Sequence, residues 1–301
     1  MKEDVKVNFS NFSNANAMPE NIEGIQKVMK DYKKVDKKVE KEDIEVPFLK
    51  KEERSFVFVE PSIIKLPSNG VCYKGRNDED LDKGFIKIYP LTVREQEILS
   101  TPRYINDGVA TCMVLNNCIA SNICADELLE FDYNYLLFYL RKISISDTFK
   151  FKQICPVCGE VNIIDIKISD LVFDELPKDF KEPIKINFPQ TKYTALLRLP
   201  RVNDLRILKK RFSTDDSLNN ITTGSIYLTR TLAIVSKDGK EVPKEEWENF
   251  YSSLPLKDFK ELVDNTSQSS NIDKLSNSVK CTECCATIGG GIPITDDLFL
   301  F

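Results

Sequence analysis

Four cysteines arranged as two identical pairs are the residues of this chain with the clearest capacity for chemistry. Cys155 and Cys158 form one Cys-x-x-Cys pair, and Cys281 and Cys284 form a second. Two such pairs supply the four thiolates of a tetrahedral zinc site, and a shell of four protein ligands leaves no open position for a substrate. The spacing therefore predicts one bound Zn²⁺ whose role is structural.

The separation of the two pairs along the chain is unusual for such a site. Residues 159–280 lie between them, whereas a zinc ribbon normally has roughly 15 to 20 residues between its cysteine pairs. Around the first pair, however, the local signals of a ribbon are present. Pro156 stiffens the turn, Gly159 lets backbone amides approach the sulfurs, and alternating apolar residues on both sides indicate a β-hairpin. We therefore predict a zinc ribbon that is split by an inserted subdomain.

Two alternatives to a zinc site with these four ligands remain. Cys285 adjoins Cys284 and could replace it as a ligand, although the spacing favours Cys284. A redox-active pair is the second alternative, but it requires a helix N-terminus to lower the pKa of its first cysteine, and residues 161–168 alternate as a strand. Three further cysteines, Cys112, Cys118 and Cys124, lie in a predicted helical region. Their spacing does not place three thiols on one helix face, so we interpret them as core residues.

The composition argues against most enzyme classes. The chain has 301 residues and no histidine, which removes the commonest general base, the Ser-His and Cys-His nucleophile pairs and every histidine-containing catalytic zinc site. Asp and Glu are plentiful, but none lies in a motif with a recognisable nucleophile or phosphate-binding loop, so solvated helix faces account for them better than carboxylate chemistry does. We therefore expect a protein without enzymatic activity.

Charge and hydropathy limit the partners. A net charge of −5 argues against nucleic acid, which selects a clustered positive surface. The alternative of a zinc-ribbon adaptor for nucleic acid or a transcription complex would need positive residues clustered around the cysteine pairs. Only Lys150, Lys152 and Lys167 lie near the first pair and Lys280 near the second, in an acidic chain. No apolar run approaches the roughly 18 residues of a membrane span, and the first residues lack a secretory pattern. We expect no membrane association and a compartment in which cysteines stay reduced.

The elements that position the cysteines predict an α+β fold with two small mixed subdomains tied by a discontinuous four-cysteine zinc ribbon. The predicted divisions are a flexible or helical N-terminal extension over 1–55, a first subdomain of strands then helices over 56–150, the split ribbon over 151–170 and 279–294, an inserted, mainly helical subdomain with a hairpin over 171–278, and a C-terminal interaction tail over 295–301.

Hydrophobic periodicity and turn signals place individual elements within these divisions. A capping box of Thr92 and Glu95 predicts the start of a helix. Strands are predicted over 56–59, 84–90, 149–152 and 161–168, with a hairpin over 183–189 and 193–200. Helices are predicted over 108–121, 126–142, 203–212, 221–235 and 256–263, with a further helix from 243.

The order of several short motifs resembles that of the baseplate hub proteins of T-even-type contractile-tailed phages. The motifs are Leu66-Pro67-Ser68-Asn69-Gly70 with Tyr73, Ile88-Tyr89-Pro90-Leu91-Thr92 with Glu95, Leu140-Arg141, Cys155-Pro156-Val157-Cys158-Gly159, Leu199-Pro200 with Asp204, Asp238-Gly239-Lys240, Leu254-Pro255, the second Cys-x-x-Cys and an aromatic carboxyl end. The resemblance covers roughly residues 56–301. It departs from the family at Cys285, where a glycine is more typical, and in the long N-terminal extension.

The resemblance implies a non-enzymatic structural or assembly component of the baseplate, in its hub or wedge region. Such a protein binds other tail proteins, occurs in the virion and in the bacterial host cytoplasm during assembly, and either stays in the particle or leaves as an assembly factor. We expect contacts with partners through the N-terminal segment and through Phe299, Leu300 and Phe301. The alternative for this apolar end is that it folds back on its own core.

Overall fold

The computed structural model describes residues 58–106, 109–212, 225–267, 279–288 and 296–299, and it confirms the mixed α+β class. The strands are β1 Ser62–Lys65, β2 Phe85–Ile88, β3 Thr148–Ile154, β4 Val161–Lys167, β5 Ile184–Asn187, β6 Thr194–Leu197, β7 Thr231–Val235, β8 Val279–Lys280 and β9 Thr287–Ile288. The helices are α1 Glu79–Asp82, α2 Val93–Leu99, α3 Pro102–Asn106, α4 Ala110–Cys118, α5 Glu130–Ser144, α6 Val202–Phe212, α7 Ser225–Leu228, α8 Trp247–Ser252 and α9 Leu256–Ser267. The predicted extension over 1–55 lies outside the described residues.

A larger hydrophobic core gathers the elements from β1 to the short 3₁₀ turn Ile168–Asp170. β1 and β2 pair antiparallel, α4 and α5 contribute buried apolar side chains, and the inner face of β4 joins them. α2 starts at Val93, where the Glu95 carboxylate accepts a hydrogen bond of 2.9 Å from the backbone N–H of Thr92, so the predicted capping box is confirmed. In the residues that the structure describes, no helix is long and apolar enough to cross a membrane.

A buried carboxylate organises the centre of this core. Asp132 of α5 accepts hydrogen bonds from the Tyr73 hydroxyl at 2.6 Å and from the backbone N–H of Ser68 at 3.0 Å. The Tyr73 hydroxyl in turn accepts from the backbone N–H of Leu129 at 2.8 Å. Burial raises the pKa of Asp132 to about 6, although the hydrogen bonds from Ser68 and Tyr73 act in the opposite direction. The turn after β1 is therefore fixed to α5 by a polar network.

A second hydrophobic core surrounds the antiparallel sheet β5-β6-β7. Its buried residues come from all three strands and from α7, α8 and α9, with Trp247 and Tyr251 among the largest. All four residues of β6 are buried, as befits the central strand. The predicted hairpin over 183–200 is confirmed as β5 and β6.

Two predictions for individual elements are wrong. The helix predicted over 221–235 ends in a strand, because Thr231, Ile234 and Val235 are β-branched and complete the sheet beside the buried strand β6. The inserted part therefore contains a three-stranded sheet in addition to its helices. The strand predicted over 56–59 is not found in its described half: residues 56 and 57 lie outside the described residues, and Phe58 and Val59 are outside any strand. β1 begins after Pro61, which has no backbone N–H to donate to a neighbouring strand.

The segment that follows β6 is held against the larger core by backbone and side-chain contacts. The backbone N–H of Glu130 donates to the carbonyl of Pro200 at 3.1 Å, and that of Val202 donates to the carbonyl of Leu128 at 3.0 Å. The guanidinium of Arg206 on α6 pairs with Asp126, whose carboxylate is fully buried. The start of α6 is thus attached to the segment that leads into α5.

Candidate metal centre

The first cysteine pair lies in the turn of the β3–β4 hairpin. Both strands have seven residues and pair until Ile154 faces Val161. The backbone N–H of Cys155 donates to the carbonyl of Glu160 at 2.8 Å, and the N–H of Gly159 donates to the carbonyl of Cys155 at 3.0 Å. Gly159 has a φ of 76°, a left-handed conformation that glycine adopts without strain. The hairpin predicted around this pair is confirmed.

The second cysteine pair has the same local backbone. The N–H of Cys281 donates to the carbonyl of Ala286 at 2.8 Å, and the N–H of Cys285 donates to the carbonyl of Cys281 at 3.1 Å. β8 and β9 flank this turn as a two-stranded antiparallel ladder. Cys285 has a φ of 57° and so takes the left-handed position that Gly159 occupies in the first turn. The two turns are structural repeats, which we call the first and second knuckle.

The structure brings the four predicted ligands together. The sulfurs of Cys155, Cys158, Cys281 and Cys284 all lie within 4.8 Å of one another. Cys155 Sγ is 3.6 Å from Cys284 Sγ, and Cys158 Sγ is 3.5 Å from Cys281 Sγ. A regular tetrahedron with Zn–S bonds of about 2.3 Å has edges of about 3.8 Å. The four sulfurs therefore have the spacing and the donor type to hold one zinc-sized cation, and Cys285 is exposed outside this group.

The first cysteine of each knuckle has a lowered pKa and the second has a raised one. The backbone N–H groups of Cys284 and Glu283 stabilise the thiolate of Cys281 and lower its pKa to about 6, and those of Cys158 and Val157 lower the pKa of Cys155. These two sulfurs are also the buried ones.

The second cysteine of each knuckle behaves in the opposite way. The N–H of Glu160 favours the thiolate of Cys158, but the neighbouring thiols and desolvation raise its pKa to about 12. The pKa of Cys284 is likewise raised by Cys155 and Cys281, against the effect of the Ala286 N–H. Neighbouring thiolates oppose one another's ionisation, so a cation among the four sulfurs would favour the state in which all four are thiolates.

Asn162 is a residue of this site that the sequence analysis missed. It lies on the inward face of β4, is only 3% exposed, and reaches across to the second knuckle. Its Oδ1 accepts from the backbone N–H of Thr282 at 2.9 Å, and its Nδ2 lies 3.6 Å from Cys281 Sγ. The other inward positions of β4 are filled by Ile164 and Ile166. A polar residue at a position of the strand where the alternation predicts an apolar one was therefore the signal in the sequence that could have identified Asn162.

The other cysteines and the lysines near the knuckles have ordinary roles. Cys112 and Cys118 are buried in the larger core, consistent with their interpretation as core residues, whereas Cys124 is only half-buried. Lys150, one of the few lysines near the cysteine pairs, lies 3.5 Å from Asp165 across the hairpin. Its charge is therefore partly compensated by a neighbour.

At Phe299 the structure agrees with the alternative that this apolar end folds back on its own core, and the contact with a partner stays a prediction. Leu298 and Phe299 form part of a 3₁₀ turn, and both are fully buried in the chain's own larger core. Arg141 of α5 donates from Nη1 to the carbonyl of Leu298 at 2.5 Å and stacks 5.1 Å from the centroid of the Phe149 ring. Burial of the ring and a charged hydrogen bond to the backbone favour this internal position over an exposed one. Leu300 and Phe301 lie outside the described residues.

Comparison with known proteins gives one match. The model of the family described as T4 bacteriophage base plate protein matches residues 62–288, a range that includes both knuckles and both hydrophobic cores apart from the 3₁₀ turn at Leu298 and Phe299. No curated protein and no solved structure matches the chain. Because the family match spans most of the sequence and agrees with the order of motifs, the chain belongs to the family of T4 bacteriophage base plate proteins.

Proposed function

We propose that this protein is a non-enzymatic structural or assembly component of the hub or wedge region of a phage contractile-tail baseplate, and that Cys155, Cys158, Cys281 and Cys284 hold one structural Zn²⁺. The observation that carries the zinc proposal is the convergence of four sulfurs from two distant parts of the chain on tetrahedral spacing. The family match supports the role in the baseplate.

The metal would attach the short β8–β9 ladder to the longer β3–β4 hairpin. The β8–β9 ladder consists of the two residue pairs Val279–Ile288 and Lys280–Thr287, and a ladder of this size is not stable alone in water. The first knuckle sits on a hairpin of seven pairs that packs on the larger core. A closed shell of four thiolates would therefore stabilise the fold and would leave no position for a substrate.

The subdomain boundaries that we predicted agree with this role. An inserted subdomain over 171–278 would be held at both ends by one ribbon made of 151–170 and 279–294. The rigid pair of subdomains would then present a surface to other tail proteins, with further contacts through the N-terminal segment 1–55. We propose that the protein occurs in the host cytoplasm during assembly before it joins the tail.

The zinc proposal is tested by metal analysis of the purified full chain together with two serine variants. We expect about one zinc per chain in the wild type, loss of that zinc in Cys158→Ser, and full retention in Cys285→Ser, whose thiol is also exposed but lies outside the cluster. Absence of zinc from the wild type, or equal loss in both variants, would contradict the assignment.

The baseplate role is tested by mass spectrometry of purified tails and assembly intermediates. Presence in intermediates and in mature tails indicates a permanent component, and presence in intermediates alone indicates an assembly factor. Absence from both, combined with salt-sensitive binding to DNA or RNA in a gel-shift assay, would instead favour the zinc-ribbon adaptor that binds nucleic acid.

A further inference from the structure

The side chain of Asn162 hydrogen-bonds to residues of both knuckles. Its Oδ1 accepts from the backbone N–H of Thr282 at 2.9 Å and from the Thr282 hydroxyl at 3.2 Å. Its Nδ2 donates to the carbonyl of Glu160 at 3.1 Å and faces Cys281 Sγ at 3.6 Å. An amide has two acceptor and two donor positions, so the hydrogen-bonding capacity of this buried group is fully used.

The orientation of this amide follows from its partners. The backbone N–H of Thr282 can only donate and the carbonyl of Glu160 can only accept, so Oδ1 must face Thr282 and Nδ2 must face Glu160. The same orientation aims the second N–H of Nδ2 at the sulfur of Cys281. No other polar side chain of similar size offers an acceptor and two donors in this arrangement.

We propose that Asn162 is the positioning residue of the metal centre: it holds the second knuckle against the first, so that the protein gathers the four sulfurs before a metal binds. The contacts to Thr282 and Glu160 involve no metal ligand and are available in the metal-free chain. The contact to Cys281 adds a donor to a thiolate, which stabilises its negative charge. The metal part of this proposal rests on the proposed zinc site, whereas the docking of the second knuckle does not.

The test compares Asn162→Leu and Asn162→Asp with the wild type and with Asp165→Asn. Leucine is similar in size to asparagine but removes all its side-chain hydrogen bonds. Aspartate keeps the acceptor for Thr282, but it places a carboxylate oxygen instead of an N–H next to the sulfur of Cys281. Asp165→Asn is a matched control, because it makes an Asp–Asn exchange on the exposed face of the same strand. Cooperative thermal unfolding of each variant establishes that the larger core is intact.

Two measurements decide the outcome. Zinc affinity, determined by competition with a chromophoric chelator, should fall about 10- to 100-fold in both Asn162 variants and remain unchanged in Asp165→Asn. Cobalt-substituted protein should show a shifted sulfur-to-metal charge-transfer band in Asn162→Leu, because the N–H to Cys281 is lost. In metal-free protein, amide hydrogen exchange over residues 279–288 should be faster in Asn162→Leu than in the wild type.

The possible failures are distinct. Wild-type zinc affinity, charge-transfer band and hydrogen exchange in both Asn162 variants would overturn the positioning role and leave the zinc site in place. A wild-type protein that binds no zinc would overturn the proposed metal site, and the exchange measurement would then still decide whether Asn162 docks the second knuckle. Equal effects in Asp165→Asn would also overturn the proposal, because they would show that any such exchange in β4 disturbs the site.

Discussion

Cys285 occupies in the second knuckle the backbone position that Gly159 occupies in the first. Both residues have positive φ, 57° and 76°, and both donate from the backbone N–H to the carbonyl of the first cysteine of their knuckle. Glycine adopts this conformation without a steric penalty, whereas a residue with a Cβ pays roughly 1–2 kcal/mol. The second knuckle therefore carries a strain that the first does not.

Removal of this strain should stabilise the protein. We expect Cys285→Gly to raise the free energy of unfolding by up to about 1 kcal/mol and to leave the zinc content unchanged. Gly159→Ala should lower the free energy of unfolding by a similar amount, since an added Cβ meets no atom within 4 Å and only the backbone is strained. Denaturant unfolding of both variants checks the pair, and changes of the same sign would contradict the structural repeat.

Removal of the metal should destabilise the chain. A ligand present at about 1,000 times its Kd stabilises the folded state by about 4 kcal/mol, so an excess of chelator should lower the unfolding midpoint markedly. The Cys158→Ser variant provides the control, because chelator should have no further effect once a ligand is lost. An unchanged midpoint in the wild type would show that the cluster does not depend on a metal.

The Asp132 network predicts a dependence of stability on pH. The pKa of Asp132 is raised by burial from 3.8 to about 6, so the folded state binds this proton more tightly than the unfolded chain does. Its contribution is fully present below pH 3.8 and is lost as the pH rises through about 6, at a cost of roughly 3 kcal/mol. Asp132→Asn should flatten this segment of the profile of unfolding free energy against pH. An equally steep decline in the variant would assign the effect to other groups.

Phe299 should contribute to stability because its ring is buried in the larger core. We expect Phe299→Ala to lower the free energy of unfolding by about 3–5 kcal/mol, measured by denaturant titration. Val172→Ala, at a side chain that is 83% exposed, provides a control with little expected effect. If Phe299→Ala unfolds like the wild type but no longer enters tails, the residue contacts a partner and the internal position is incorrect.

Local signals in the sequence were sufficient for the first knuckle and for most helices. Pro156 and Gly159 between two alternating segments specify a hairpin, and the capping box at Thr92 specifies the start of α2. The choice of Cys281 and Cys284 as partners of Cys155 and Cys158 rested on their Cys-x-x-Cys spacing, and these are the four residues whose sulfurs converge. Their occupancy by zinc stays a prediction until the metal is measured.

Features that depend on distant contacts were not accessible from the sequence. β7 contains β-branched residues that favour a strand, but the strand β6 with which it pairs is distant along the chain and no local pattern shows that partner. Asn162 acquires its role from Thr282, a residue far away along the chain. The sequence left open whether Phe299 contacts a partner or the chain's own core, because the larger core that buries its ring and the Arg141 that donates to the neighbouring Leu298 carbonyl are distant along the chain.

The convergence of the two knuckles also determines how mechanical load would pass through the chain. If force were applied to β3 and to the chain after β9, it would act on the four sulfurs, because the chain between the two knuckles forms a loop whose ends meet there. With zinc bound, tension would cross the Zn–S bonds, and the three-stranded sheet inside the loop would remain unloaded. The inserted part would then stay folded under a force that is applied to the two ends of the ribbon.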